Sequence, residues 1–156
     1  MSRTENKSRS AARLAIVQAL YQMEAGGTRV DSLVAEFNAH RLGGELDGET
    51  LHDADVDFFS EMVKGVVSAQ SRLDPYIEKN LAENWTLKRI NSTARAIIRA
   101  ALFELTDRPE IPFRVVLDEY LDIANAFFDS EECRFINGIL DTAAHDLRAN
   151  ETAEVS

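Results

Sequence analysis

Apolar residues recur along this chain at intervals of three and four, the spacing of one face of an α-helix, and show no sustained alternation of the kind a strand needs. Leu14, Val17, Leu20 and Tyr21 form the first such stripe. It should end at Gly26-Gly27, where glycine can adopt the left-handed conformation that satisfies the last carbonyls. Leu33, Val34 and Phe37 predict a shorter second helix over about 30–40. From about Asp53 a longer stripe runs through Val56, Phe59, Val63, Val66 and Val67, with Asp53, Asp55 and Asp57 at its electropositive end. Asp74-Pro75 reads as the cap and first-turn proline of a further helix bearing Ile77 and Leu81, closed by Trp85.

After Asn91, an N-cap candidate, Ala94, Ile97, Ile98, Ala101, Leu102 and Leu105 repeat so regularly that this segment is expected to be the central core helix. Pro109 and Pro112 break it, and Pro112 suits the first turn of the next helix, with Val116, Tyr120, Ile123 and Phe127 facing inward. The last helix should start at Ser130, with Glu131 and Glu132 in its first turn, and run past Phe135, Ile136, Ile139, Leu140 and Ala143 to about Leu147. Gly138 inside it predicts a close backbone approach, since glycine there costs about 1 kcal/mol against alanine. Residues 41–50, with three glycines and mixed charge, read as an exposed loop. The expected fold is all-α: a single compact bundle of about seven helices in two packed halves, divided at 43–50. A flexible basic arm over 1–8 should precede a helical domain over 9–148, and a disordered tail should follow over 149–156.

Charge changes the picture at one place. The chain carries 17 Lys plus Arg against 27 Asp plus Glu, a net charge of −10. Yet its first thirteen residues hold Arg3, Lys7, Arg9 and Arg13 against Glu5 alone. A helix N-terminus disfavours cations, so Lys7, Arg9 and Arg13 either serve a ligand or form a merely solvated helix end. An acidic body repels nucleic acid as a whole, and any phosphate contact must therefore be local and salt-sensitive. Arg95 and Arg99 offer a second basic stripe, or pair with acids such as Glu104 or Glu119. Phe135 beside Arg134 can serve as a stacking surface for a base next to a cation, or as core.

Candidate chemistry is mostly absent. His40, His52 and His145 have no second His or Cys at ligand spacing, and the run Asp53-Ala-Asp-Val-Asp57 lacks the glycine and bidentate glutamate of a calcium loop. No glycine-rich phosphate cradle occurs, and Cys133 reads as a small core residue. No metal, cofactor or catalytic residue is expected. One cysteine and no apolar run of about 20 residues predict a soluble, cytoplasmic protein.

Four stretches nonetheless resemble a known family. An arginine-bearing first helix ending Val17-Gln-Ala-Leu-Tyr21, then Arg95-Ala-Ile-Ile-Arg-Ala-Ala-Leu-Phe-Glu-Leu105, Ile111-Pro-Phe-Arg-Val-Val-Leu-Asp-Glu119 and Arg134-Phe-Ile-Asn-Gly-Ile-Leu-Asp141 are similar to the bacterial transcription antitermination factors of the NusB type. The resemblance runs from about Arg9 to Ala144. It implies a non-enzymatic, all-helical RNA-binding protein that pairs with the small-subunit ribosomal protein NusE, grips boxA of nascent ribosomal RNA and joins the RNA polymerase antitermination complex. By the same resemblance Arg9 and Arg13 carry over as RNA contacts and Lys7 joins them by proximity. Phe135 matches a family aromatic near the RNA, with Arg134 beside it as a further RNA candidate; Glu131 and Glu132 match the helix edge close to the same surface and, with Tyr21, are the candidate partner contacts. Ser10 and Ala11 stand where closely similar members have arginines, which gives NusE a larger share of the grip. Two alternatives remain open: a protein-only helical adaptor, and a stand-alone relative of the NusB-like domain of ribosomal RNA cytosine methyltransferases. A monomer and a homodimer that masks the RNA face both fit the sequence.

Overall fold

A computed structural model describes residues 3–37, 45–46, 49–50 and 55–151. Among them lie six α-helices: α1 (Arg3–Gly26), α2 (Val30–Phe37), α3 (Val56–Lys79), α4 (Ser92–Asp107), α5 (Phe113–Phe127) and α6 (Ser130–Leu147). A 3₁₀ turn, Leu87–Arg89, precedes α4, and two-residue strands β1 (Glu45–Leu46) and β2 (Glu49–Thr50) pair antiparallel within the expected loop. The fold is all-α, as the periodicity predicted. His40, His52 and Asp53 lie outside the described residues. The chain forms two compact units, residues 1–68 and 69–156. Their boundary falls inside α3, not at 43–50, because α3 contributes core residues at both of its ends.

In the first unit α1 packs on α2. α1 starts at Arg3, inside the segment expected as an arm. It stops at a left-handed Gly27, φ +66°, whose N–H donates to the Met23 carbonyl at 2.9 Å. The stripe is rotated from the one expected: Ala12, Ile16, Val17, Ala19 and Leu20 are buried, while Leu14 and Tyr21 are exposed. Small alanines at 12, 15 and 19 let neighbouring elements approach closely, which a count of large apolar residues does not register. Leu33, Val34 and Phe37 of α2 are buried, and the Phe37 ring stacks on Phe59 at 5.3 Å. α3 buries Phe58, Phe59, Met62, Val63 and Val66 here; Val56 is exposed and Val67 only half-buried.

The expected helix start at Asp74-Pro75 does not exist, since α3 runs through Pro75 to Lys79. An interior proline costs a helix about 3 kcal/mol, and burial of the flanking Leu73 and Ile77 offsets it. Asp74 does not cap, because its carboxylate takes both arms of Arg99, Nε at 2.8 Å and Nη2 at 2.9 Å. Arg99 thus pairs with an acid, as expected, and Asp74 is one that the sequence reading did not name. The total of seven helical segments among the described residues is thus reached differently, with one long α3 and the 3₁₀ turn.

α4, α5 and α6 pack on one another to make the second core. α4 is buried almost all round, from Ala94 to Leu105, and its alanines at 96, 100 and 101 admit both neighbours. Asn91 caps it as expected, its Oδ1 accepting from the Thr93 and Ala94 N–H groups at 2.8 and 3.4 Å. α5 buries Phe113, Val116, Leu117, Tyr120, Ile123 and Ala124, whereas Phe127, expected inside, is exposed. α6 begins and ends as the sequence predicted, with Asp129 as its cap. Nothing lies within 4 Å of a Cβ built at Gly138, so the expected close approach is absent and nothing in the structure explains that glycine.

Candidate nucleic-acid interface

The basic residues at the start of α1 separate by burial. Lys7 is exposed. Arg9 is half-buried, its guanidinium 4.9 Å from the centre of the Phe58 ring and its Nε 3.6 Å from Asp55 Oδ2. Arg13, one turn on, keeps only 2% of its surface, with its guanidinium 5.2 Å from the same ring. Two cations thus share one aromatic ring, an arrangement that helps hold a buried arginine. At that exposure Arg13 meets Phe58 rather than a solvent phosphate. Arg9 and Arg13 do fall on one side of the helix, as the spacing of four predicts; that side faces α3.

Asp55 fixes this end. Its backbone N–H donates to the Ser8 carbonyl at 3.0 Å, and its Oδ1 accepts from the Phe58 N–H at 2.9 Å, capping α3. The second carboxylate oxygen is the one near Arg9. Lys7 and Arg9 thus stand at a braced helix start as the accessible positive charge, Arg9 with one side already facing a carboxylate.

Within the second unit a different surface gathers Phe135. The rings of Phe135 and Trp85 lie 6.2 Å apart at 35°. Together with Arg89, Ile90, Asn91, Asp129, Glu131 and Glu132 they line an open pocket of about 590 Å³. Trp85 is 46% exposed, and Arg89 sets its guanidinium 5.2 Å from the Trp85 ring centre. Phe135 is half-buried, so it is neither wholly core nor wholly surface; Arg134 is exposed beside it. Glu131 and Glu132 stand in the first turn of α6, where the helix end favours anions.

Trp85 and Arg89 were not among the sequence candidates. In sequence Trp85 stands only as the close of the stripe Ile77, Leu81, but α3 stops at Lys79, before it reaches the tryptophan. Arg95, expected as a basic stripe, instead supports them: its Nη1 donates to the Leu87 and Ile90 carbonyls at 2.9 and 2.7 Å, tying the 3₁₀ turn to α4. Burial first, then Arg99, lowers its pKa from the ordinary arginine value. Tyr21 is 44% exposed and lies two turns from the exposed Leu14, on one face of α1. Cys133 is half-buried, its Sγ 3.7 Å from the Phe128 carbonyl. Among the described residues no group of three or more His, Cys, Asp or Glu could hold a metal, and no helix is long and apolar enough to cross a membrane.

These features define a class: an all-helical protein with a small basic helix start, an aromatic pocket and an otherwise acidic surface. Comparison with known proteins makes the class specific. The chain belongs to the NusB family, whose pattern matches residues 10–145. It is 54% identical over 140 residues to the transcription antitermination protein NusB of Rhizobium leguminosarum bv. trifolii, covering 90% of this chain and 88% of that protein. To the protein of the same name from Rhizobium meliloti it is 50% identical over 143 residues, 92% and 89% of the two chains. The solved structure of T. maritima NusB superposes with a TM-score of 0.72 at 28% identity, over 87% of this chain and 89% of that one. A chain in a crystal structure described as a plectonemic RNA supercoil gives 0.73 at 21% identity over 93% and 96%, a likeness of fold.

Proposed function

We propose that this chain is a non-catalytic, cytoplasmic antitermination adaptor that binds boxA of nascent ribosomal RNA and pairs with NusE within the RNA polymerase antitermination complex. Its membership of a family whose relatives are named transcription antitermination proteins supports this reading. The observation that carries the RNA half is local: Lys7 and Arg9 stand accessible in the second turn of α1, in a chain of net charge −10. Arg13 acts through Phe58, holding the start of α1 rather than touching phosphate. The acidic remainder suits a basic ribosomal protein, with Tyr21, Glu131 and Glu132 as candidate contacts. Two weak surfaces on one RNA–protein assembly gain affinity through linkage.

The test is a titration of labelled boxA RNA with the protein, alone and with NusE, across a salt series. For single-stranded RNA each neutralised phosphate contributes about −0.7 to the log–log slope. Replacing Lys7 and Arg9 together by alanine should therefore flatten the slope by about 1.4 and weaken binding most at low salt. Wild-type affinity and slope in that variant would show that this helix end is not the RNA site.

A further inference from the structure

We propose that Trp85 is a base-stacking residue, joining Phe135 in a two-ring platform for an unpaired nucleobase of the bound RNA; this rests on the RNA-binding reading above. Folding accounts for most of what lines the pocket, but not for the tryptophan. Asp129 is the cap of α6, its Oδ1 accepting from the Glu132 N–H at 3.0 Å, and Glu131 and Glu132 suit the positive end of that helix. Trp85 leaves 46% of its surface in water, although it is the only tryptophan in the chain and the side chain with most to gain from burial.

The turn that carries this ring is braced at several points. Asn84 takes a left-handed conformation, φ +78°, which asparagine tolerates better than most residues. The Trp85 N–H donates to the Ala82 carbonyl at 3.0 Å, and Arg89 Nη1 donates to the Asn84 carbonyl at 2.9 Å. Arg95 ties down the following 3₁₀ turn, as described above. A ring held out on a fixed turn loses little conformational freedom when a ligand lies on it.

The geometry also says how a ligand sits. At 6.2 Å the two ring centres are too close to admit a third ring between them, which needs two van der Waals contacts or about 7 Å. A base therefore lies across the pair. The carboxylates of Asp129, Glu131 and Glu132 exclude a phosphate from the pocket. The backbone of the RNA must then pass outside, where Arg134 is exposed. A cationic side chain from a protein is less well suited, because Arg89 already places its own guanidinium on Trp85.

Because Trp85 is the sole tryptophan, its emission reports the site alone. Full-length protein is titrated with unlabelled single-stranded boxA RNA while tryptophan emission is followed, and binding of the same RNA is measured independently by anisotropy. Emission should be quenched, saturating at the concentrations that saturate binding. Trp85→Leu should bind about five- to a hundredfold more weakly, and Trp85→Phe should recover most of that loss. The factor should be the same at low and high salt, since stacking releases no counterions, which separates it from the Lys7 and Arg9 contribution. RNA binding with unchanged emission, or wild-type affinity in a folded Trp85→Leu protein, overturns the platform and leaves the RNA reading standing. Quenching by an oligo-arginine peptide but not by RNA assigns the pocket to a protein partner and overturns it equally. Absence of any RNA binding in the anisotropy arm overturns both.

Discussion

Asp55 does two jobs with one carboxylate, and they can be separated by a single substitution. One oxygen caps α3 through the Phe58 N–H, and the other lies 3.6 Å from Arg9, competing with any phosphate for that guanidinium. Asparagine caps a helix about as well as aspartate but carries no charge. Asp55→Asn should therefore leave the melting temperature nearly unchanged while raising RNA affinity by up to roughly fivefold at low salt, the range of a partly exposed ion pair. RNA affinity that stays level or falls in the folded variant would show that Asp55 does not hold Arg9 back. Arg13 behaves differently although it lies only one turn away. Its neighbours Ala12, Ile16 and Val17 are all buried, so its charge sits within the packing of the first unit.

At the level of elements, the end of α6 fixes the α4–α5 corner. Arg148, 93% buried, donates from Nε to the Leu105 carbonyl at 2.8 Å, from Nη1 to Ile111 at 2.9 Å, and from Nη2 to Arg108 at 3.0 Å and Glu104 at 3.3 Å. These carbonyls belong to the end of α4 and the loop after it; those of Glu104 and Arg108 also accept the Arg108 and Ile111 N–H groups, each at 3.0 Å. Glu151 pairs with Arg148 and accepts from the Phe113 N–H at 3.0 Å, so it also serves the first turn of α5. The segment expected as a frayed tail thus contributes Glu151 to the fold. Arg148→Met keeps much of the aliphatic bulk but takes the guanidinium's hydrogen bonds from four carbonyls and its charge from beside Glu151. It should destabilise the protein by roughly 3 kcal/mol or more in denaturant unfolding. A loss under about 1 kcal/mol would mean that water replaces the guanidinium at that corner.

For the whole molecule the governing quantity is the uneven distribution of charge. A chain of net charge −10 attracts a basic protein at long range, with local repulsion where Lys7 and Arg9 stand accessible. Association with NusE should therefore occur without RNA, and its on-rate should fall steeply as salt rises toward a Debye length of about 8 Å. Stopped-flow mixing at several ionic strengths measures this directly. An on-rate indifferent to salt would remove long-range attraction from the account, and no association at low salt would remove the RNA-independent contact.

The sequence by itself determined whatever depends on neighbours along the chain. Helical periodicity, the cap at Asn91, the left-handed stop at Gly27 and the start of α6 at Ser130 are local, because backbone geometry and the first few hydrogen bonds decide them. The family resemblance was legible for a similar reason, since its motifs lie in unbroken stretches. Tertiary structure decided which of two locally reasonable states prevailed. Asp74 could cap a helix or hold Arg99, and only the nearness of α4 selected the second, letting α3 run through Pro75. Arg9 and Arg13 look equivalent in sequence, yet packing against Phe58 left one half-accessible and buried the other. Spacing set Trp85 four residues after Leu81, at the close of a helix, yet α3 ends at Lys79 and leaves it on a turn. Its meeting with Phe135, fifty residues on, comes from the fold that brings the turn before α4 to the first turns of α6. Pairings between distant residues follow from packing, and spacing along the chain carries no record of them.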